Sequence, residues 1–505
     1  MGRLIFFVFI IVAAVMIAAA HSQEDSQPRR VEILHANSLE FDRNLGPDVR
    51  RLIGDVRLKH EDALMYCDSA YLFSGNNIVH AYGNVHINQG DTVHLRADFI
   101  RYFGEKRFAE ARGNVELYDD DATLTTDSLD YDIERNVAFY PSGGRIVSGE
   151  SIIESIRGYY YSNDKVMFFK DEVNVVTPDY RIKCDTLKYN TETETAFFLG
   201  PSTIITEDLH IYCENGWHNT QTDISQFNKN AVITHENQVV KADSFYYDHS
   251  GNYGKGFFNV EMTDTVERIV LYGHYSLFER EPEYTMITDS ALFVHYDEEN
   301  DSLFLHADTL ESFFDSTGEY RILNAFYGAR FFSEDLQGQC DSLYYTFQDS
   351  IIRMYTEPVL WNNETQLTAD YMEIHSKDEE IDHVIMNGNA FIVSFEEGDY
   401  YNQIKGRDMT GYFNEGELSR VRVVGNAETL YYPKEEEEII GVNVVASTTL
   451  MIFMKDNSPE RIRFETNPEA TLYPLEDMSG SELFLKDFKW LEEIRPLSKE
   501  DLFKK

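Results

Sequence analysis

The sequence predicts an all-β chain, an elongated stack of repeats of about 29 to 30 residues, and three observations carry that prediction. One short phrase recurs along nearly the whole chain, helical signal is almost absent, and aromatic residues, which favour strands, make up 14% of the composition with 32 Tyr and 34 Phe. Internal repetition at 20 to 50 residues marks a stacked architecture, so it outranks the compositional signals.

The phrase is an apolar residue, any residue, a small residue, an acid, any residue, an apolar residue and, two positions on, another. It reads Leu95, Ala97, Asp98, Ile100, Tyr102, then Leu124, Thr126, Asp127, Leu129, Tyr131. Later copies are Ile182, Cys184, Asp185, Leu187, Tyr189, then Val240, Ala242, Asp243, Phe245, Tyr247, and Leu367, Ala369, Asp370, Met372, Ile374. The small residue falls at Ala36, Cys67, Ala97, Thr126, Cys184, Cys213, Ala242, Thr288, Ala307, Cys340 and Ala369. Successive gaps are 31, 30, 29, 58, 29, 29, 46, 19, 33 and 29; the 58 is twice 29, with a worn copy around Ile153, Ser155 and Tyr160. The 46 and 19 mark a disturbance between about 250 and 300, where a junction between subdomains is expected.

Parity explains the phrase. Apolar positions before the small residue alternate with it as on one face of a strand, but those after the acid fall three and five positions from the small residue, on the opposite parity. A flat strand would turn its oily side outward there, so the acid and its follower form a bulge or corner, for which Asp and Ser are suited through local backbone hydrogen bonds. A second mark precedes other alternating runs: Gly54-Asp55-Val56, Gly83-Asn84-Val85, Gly113-Asn114-Val115, Gly388-Asn389-Ala390 and Gly425-Asn426-Ala427. These dipeptides tolerate positive φ and read as tight turns between strands. The one helical signal is at the C-terminus, where Ser498-Lys499-Glu500-Asp501 resembles a cap before Leu502 and Phe503.

Residues 1–20 carry Arg3, an apolar run from Leu4 to Ala20 and the ending Ala18-Ala19-Ala20, which read as a secretory signal peptide, with an uncleaved anchor as the alternative. Net charge is −44, from 88 acids against 44 bases, which excludes nucleic acid as a partner. Cys67, Cys184, Cys213 and Cys340 all occupy the small slot of the phrase, so they read as small inward residues; a bond between Cys184 and Cys213, in adjacent copies, is the alternative. The acids line one edge, where corner formation is the simpler reading and calcium at a few of them the alternative. His80, His86 and His94 come nearest to a metal cluster, but alternation does not aim them at one point, and neither a phosphate loop nor a nucleophile elbow is present. No catalytic residue, metal site or cofactor is expected.

The combination has a family look. Ala-Asp-Ser-Phe-Tyr-Tyr-Asp at 242–248, Thr-Asp-Ser-Leu-Asp-Tyr-Asp at 126–132 and Cys-Asp-Ser-Leu-Tyr-Tyr at 340–345, alternating with Gly-Asn-Val, resemble the OstA-like family, which includes organic solvent tolerance proteins and the periplasmic bridge of lipopolysaccharide export. The resemblance spans most of residues 30–430, and the ending Phe488-Lys489-Trp490 with Arg495-Pro496 is similar to longer members of the Bacteroidetes type. It implies a β-jellyroll or folded-sheet (β-taco) trough whose interior carries acyl chains of lipopolysaccharide or a related lipid. On that reading Leu95, Ile100, Leu124, Leu129, Ile182, Leu187, Val240 and Phe245 line the groove. The N-terminal edge, about Val31 to Phe41 with Leu34 and Leu39, docks other export components by strand pairing.

The expected organisation is a signal peptide at 1–20, a first stack at 21–265, a second at 266–432 and a C-terminal capping segment at 433–505, beginning with the charged run Pro433-Lys434-Glu435-Glu436-Glu437-Glu438. The expected function is a periplasmic lipid conduit, associated with the outer membrane or free. A structural or partner-binding repeat without lipid is the alternative, and a polysaccharide-cleaving β-stack is a third class.

Overall fold

The computed structural model describes residues 30–504 apart from 42–45, 61–62, 90–92, 119–121, 281, 297–301, 319–320, 347, 378–379, 415, 436–437, 456–457 and 466–467. The expected signal peptide lies outside the described residues. The all-β prediction holds: antiparallel strands run from Glu32 to Tyr473, followed by short 3-10 turns, the last of them Lys499–Phe503 behind Ser498. The chain divides into two compact units, one ending at Glu236 and including Lys241–Asn252, the other comprising Asn237–Val240 and Tyr253 onward.

In the first unit each repeat is a hairpin of two long strands, such as Val93–Phe103 with Phe108–Tyr118, or Tyr180–Asn190 with Thr195–Thr206. Every long strand bends at its middle. Register pairs Tyr82 with Phe99 and Val85 with Ala97, so Gly83 and Asn84 together face the single residue Asp98. Gly83 and Asn84 have φ of 73° and 43°, and Gly113 and Asn114 repeat the pattern at 75° and 43°. The two left-handed residues bend their own strand, whose buried positions Ala81 and Val85 keep parity, while the facing strand crosses the corner with one residue fewer, which is why its burial passes from Ala97 to Ile100 rather than Phe99.

The Gly-Asn dipeptides therefore do not separate strands, as their turn chemistry suggests; they sit inside them as two-residue bulges. They meet the phrase's acid from the neighbouring strand. Asn84 Nδ2 donates to Asp68 Oδ2 at 2.8 Å, Asn114 to Asp98 at 2.8 Å, and in the second unit Asn389 to Asp370 at 3.0 Å. A Cβ on Gly113 would lie 2.6 Å from Asp98 Oδ2, so the glycine is needed for both φ and space. The acid row is thus the other side of the same corner. At the worn copy the corner widens: Val137–Tyr140 and Gly144–Ser148 are separate short strands around Pro141 and Ser142.

Two further expectations change. Cys184 and Cys213 both face Ser202, from opposite sides of the strand Thr195–Thr206, so they stand two strands apart, about 10 Å, beyond disulfide reach. All four cysteines are buried free thiols, and burial pushes Cys184 and Cys340 up to about 12 and Cys67 and Cys213 up to about 11. The disturbance near 250–300 also disappears. Asp289 and Ser290 have φ of 61° and 65° and occupy the bulge side of the corner, opposite Gly273 and His274. Buried Gly273 fills the small slot between Ala242 and Ala307, and the repeat runs on without a skip.

Candidate functional site

The bends bring two cross-strand rows of apolar residues into one interior. In the first unit, one row passes through direct register partners from Ile33 through Leu58, Met65, Ile87, Leu95, Leu117 and Leu124. It continues through Ile146, Ile153, Val175, Ile182, Ile204 and Ile211 to Ile233. No polar residue interrupts it, and at about 4.8 Å per strand the row runs for roughly 60 Å. On the other side of the corners a second row runs Leu39, Leu52, Ala70, Ala81, Ile100, Ala111, Leu129. Beyond the widened corner it continues as Tyr140, Gly158, Phe169, Leu187, Phe198, Gly216, Phe227.

All the sequence-derived lining residues face inward, but not alike. Ile100, Leu124, Leu129, Ile182, Leu187 and Phe245 are buried, whereas Leu95 and Val240 are half-buried. The first row is buried from Leu117 to Ile211 and half-buried at Met65, Ile87 and Leu95. The second row is alanine-rich over those same N-terminal strands and aromatic further on. Around the worn copy the interior is closed: Leu124, Leu129, Tyr140, Ile146, Met167 and Phe169 surround a gap of only about 30 Å³, room for a water but not an alkyl chain. The lining is thus half-buried at Met65, Ile87 and Leu95 and again at Ile233.

Glu32–His35 and Ser38–Phe41 both pair with Val49–His60, and Leu34 and Leu39 are 52% and 56% exposed. His80 does not join His86 and His94. It lies beyond the Gly83-Asn84 corner and packs on Phe73, while the His86 and His94 rings stand 5.5 Å apart and His94 Nδ1 meets Asn88 Oδ1 at 3.0 Å.

The second unit repeats the inner row as Leu305, Phe331, Gly338, Leu360, Leu367, Ile392 and Ile404. Its outward neighbour is a row the sequence reading missed: Gln337, Trp361, Gln366, Val393, Gln403, Leu430. The chain after Tyr473 crosses this outer face. Gln403 donates to Leu483 O at 2.9 Å and accepts from Leu485 N–H at 2.7 Å; Gln366 does the same with Lys489 O at 2.9 Å and Leu491 N–H at 2.7 Å. Gln337 Oε1 accepts from Arg495 Nε and Nη2 at 2.9 and 2.6 Å. The glutamines Gln403, Gln366 and Gln337 are 0%, 1% and 3% exposed. Met478, Leu483 and Leu485 pack on Leu430, Tyr432 and Val442, and Phe484, Phe488 and Trp490 gather round Tyr401. The signal that could have found this row is an uncharged Gln just before an inward residue, as in Gln337-Gly338, Gln366-Leu367 and Gln403-Ile404.

Among curated proteins none matches the chain. Among solved structures the chain is similar to LptH of Pseudomonas aeruginosa, the LptA-homologous periplasmic component of the conserved lipopolysaccharide transport device. The identity is 14%, over 20% of this chain and 76% of LptH, with a TM-score of 0.19. Residues 28–185 match the family described as OstA-like protein.

Proposed function

We propose that the protein is a carrier rather than a catalyst, holding the acyl chains of lipopolysaccharide or a related envelope lipid in the interior of its folded sheet in the periplasm. The observation that supports this most directly is the unbroken aliphatic row from Ile33 to Ile233, half-buried over the strands where the opposing row is alanine-rich. Burial of hydrocarbon is worth about 0.8 kcal/mol per methylene, so a chain of about a dozen carbons gains roughly 10 kcal/mol before the cost of parting the two arms. Small side chains at Ala70, Ala81 and Ala111 keep that cost low, and the aromatic fill from Tyr140 to Phe227 raises it. Lipid enters at the N-terminal strands on this reading, and the edge carrying Leu34 and Leu39 joins a neighbouring export component by strand pairing. The strongly acidic surface leaves anionic head groups in solvent, outside the interior.

A photo-crosslinking residue at Leu95 should capture lipid in cells, and one at the outward Arg96 should not. Mass spectrometry of lipid extracted from the purified protein identifies the cargo. Equal labelling at both positions, or protein free of acyl chains, would favour the second reading, a structural repeat of the envelope. The small interior gap at the worn copy is the observation on that side.

A further inference from the structure

Away from both interior rows, the turn after Asn219 meets the end of the strand Gln238–Asp248, and three ligand-type side chains converge there. His218 is 4% exposed, its Nδ1 lies 2.9 Å from Ser225 Oγ, and that hydroxyl lies 3.2 Å from His249 Nε2. Two atoms at the centre are left over: His218 Nε2 and Asp223 Oδ1 are both buried without a hydrogen-bond partner, 3.9 Å apart. One nitrogen from each histidine and one Asp223 oxygen lie within 4.8 Å of one another, the only such grouping of three among the described residues. The backbone fixes the arrangement, because His249 N–H donates to Asp223 O at 3.1 Å and Asp223 N–H to Asn219 O at 3.0 Å.

We propose that His218, Asp223 and His249 form a binding site for one divalent cation of the zinc class, tying the 219–223 turn to residue 249 of the next hairpin. The donor set decides the class: two imidazoles and one carboxylate suit a borderline cation, whereas calcium and magnesium require a shell of oxygens. Tetrahedral zinc separates its ligands by about 3.3 Å, so Asp223 and His218 close by about 0.6 Å and the widest pair of the three by at most about 1.5 Å, and a water completes the fourth position. Ser225 is the supporting partner, accepting the Nδ1 proton of His218 and thereby leaving Nε2 to the metal. A cation accounts for both partnerless atoms at once, which hydrogen bonding within the turn does not. The site is independent of the lipid-carrier reading.

The test uses the exported protein purified without an affinity tag, stripped with chelator and titrated with zinc chloride by calorimetry. Cobalt chloride is followed separately in the visible range. One equivalent should bind, cobalt should give the bands of a four-coordinate site, and chelator should lower the melting temperature. Asp223→Asn and His249→Gln should each weaken zinc binding at least tenfold with unchanged far-ultraviolet circular dichroism, and Ser225→Ala about tenfold. Should His218→Gln misfold, the two partly exposed positions still decide. Binding of less than one equivalent, or wild-type affinity in both Asp223→Asn and His249→Gln, overturns the site.

Discussion

The two units share an inner row and differ in what covers the face behind it. In the second unit the row Gln337, Trp361, Gln366, Val393, Gln403 is buried under the chain's own C-terminal segment. In the first, the corresponding row Thr123, Val147, Ile152, Val176, Arg181, Ile205, His210 has no fully buried member, and Ile205 is 44% exposed. The comparison teaches that the repeat phrase specifies the interior alone. The outward positions, which alternation leaves polar, are free to become a second buried layer wherever a segment supplies main-chain partners for them. Glutamine suits that role because one side chain carries both a donor and an acceptor and so reads an extended backbone as a neighbouring strand would.

Removing residues 475–504 should break the comparison most. It uncovers Trp361, Val393 and Leu430 together with three buried amides, and amide-exchange protection at Val359–Asn362 should collapse while that at Val93–Phe103 stays. Unchanged protection at Val359–Asn362 would mean that the segment contributes no stability.

Alkaline pH should weaken both units, because Cys340 and Tyr432 of the second are also pushed up to about 12, and should act on the first through more buried groups. That unit holds three of the four thiols, and burial also pushes Tyr140, Tyr160 and Tyr189 up to about 12. An acid whose folded pKa is raised stays neutral in the fold while the unfolded chain ionises. Stability is therefore full below the ordinary thiol value of 9.0 and falls as pH rises towards 11 to 12. Each group loses about 1.4 kcal/mol for every pH unit that separates its folded from its unfolded pKa. Exchange measured from pH 8 to 11 should show earlier opening at Tyr180–Asn190 than at Leu336–Thr346. At pH 7 none of the thiols should react with iodoacetamide until the chain unfolds.

A single glutamine sharpens the contrast. Gln366→Ala leaves Leu491 N–H and Lys489 C=O without partners and should cost about 2 to 3 kcal/mol in urea unfolding, whereas Arg181→Ala, in the corresponding row, should stay within about 0.5 kcal/mol. Equal effects would show that the covered face is energetically ordinary. The corners should not distinguish the units. Gly113→Ala and Gly388→Ala each place a Cβ at positive φ, 2.6 and 2.5 Å from Asp98 and Asp370 Oδ2, and should each cost about 1 to 3 kcal/mol.

Much of this architecture was legible in the residues. The small slot, the parity reversal after the acid and the inward aliphatic positions are local consequences of a period-two pattern, and Leu124, Leu129, Ile182 and Leu187 were readable from it. Misreadings came where one local signal serves two long-range arrangements. Gly-Asn has the same φ preference in a hairpin turn and in a bulge. Thr288-Asp289 imitates the phrase but stands on the opposite side of the corner. Cys184 and Cys213 sit in adjacent copies, yet a whole strand separates them. The His218, Asp223 and His249 cluster was invisible because its members belong to no common motif.

The sequence by itself determined the all-β class, the two-strand repeat and the chemistry of its interior, because side-chain alternation and backbone φ preference act over a few residues. Tertiary structure alone decided which acid meets which asparagine, how tightly the interior fills and where the C-terminal segment lies. Those depend on register and on contacts between residues as distant as Gln337 and Arg495, 158 positions apart, which no local preference encodes.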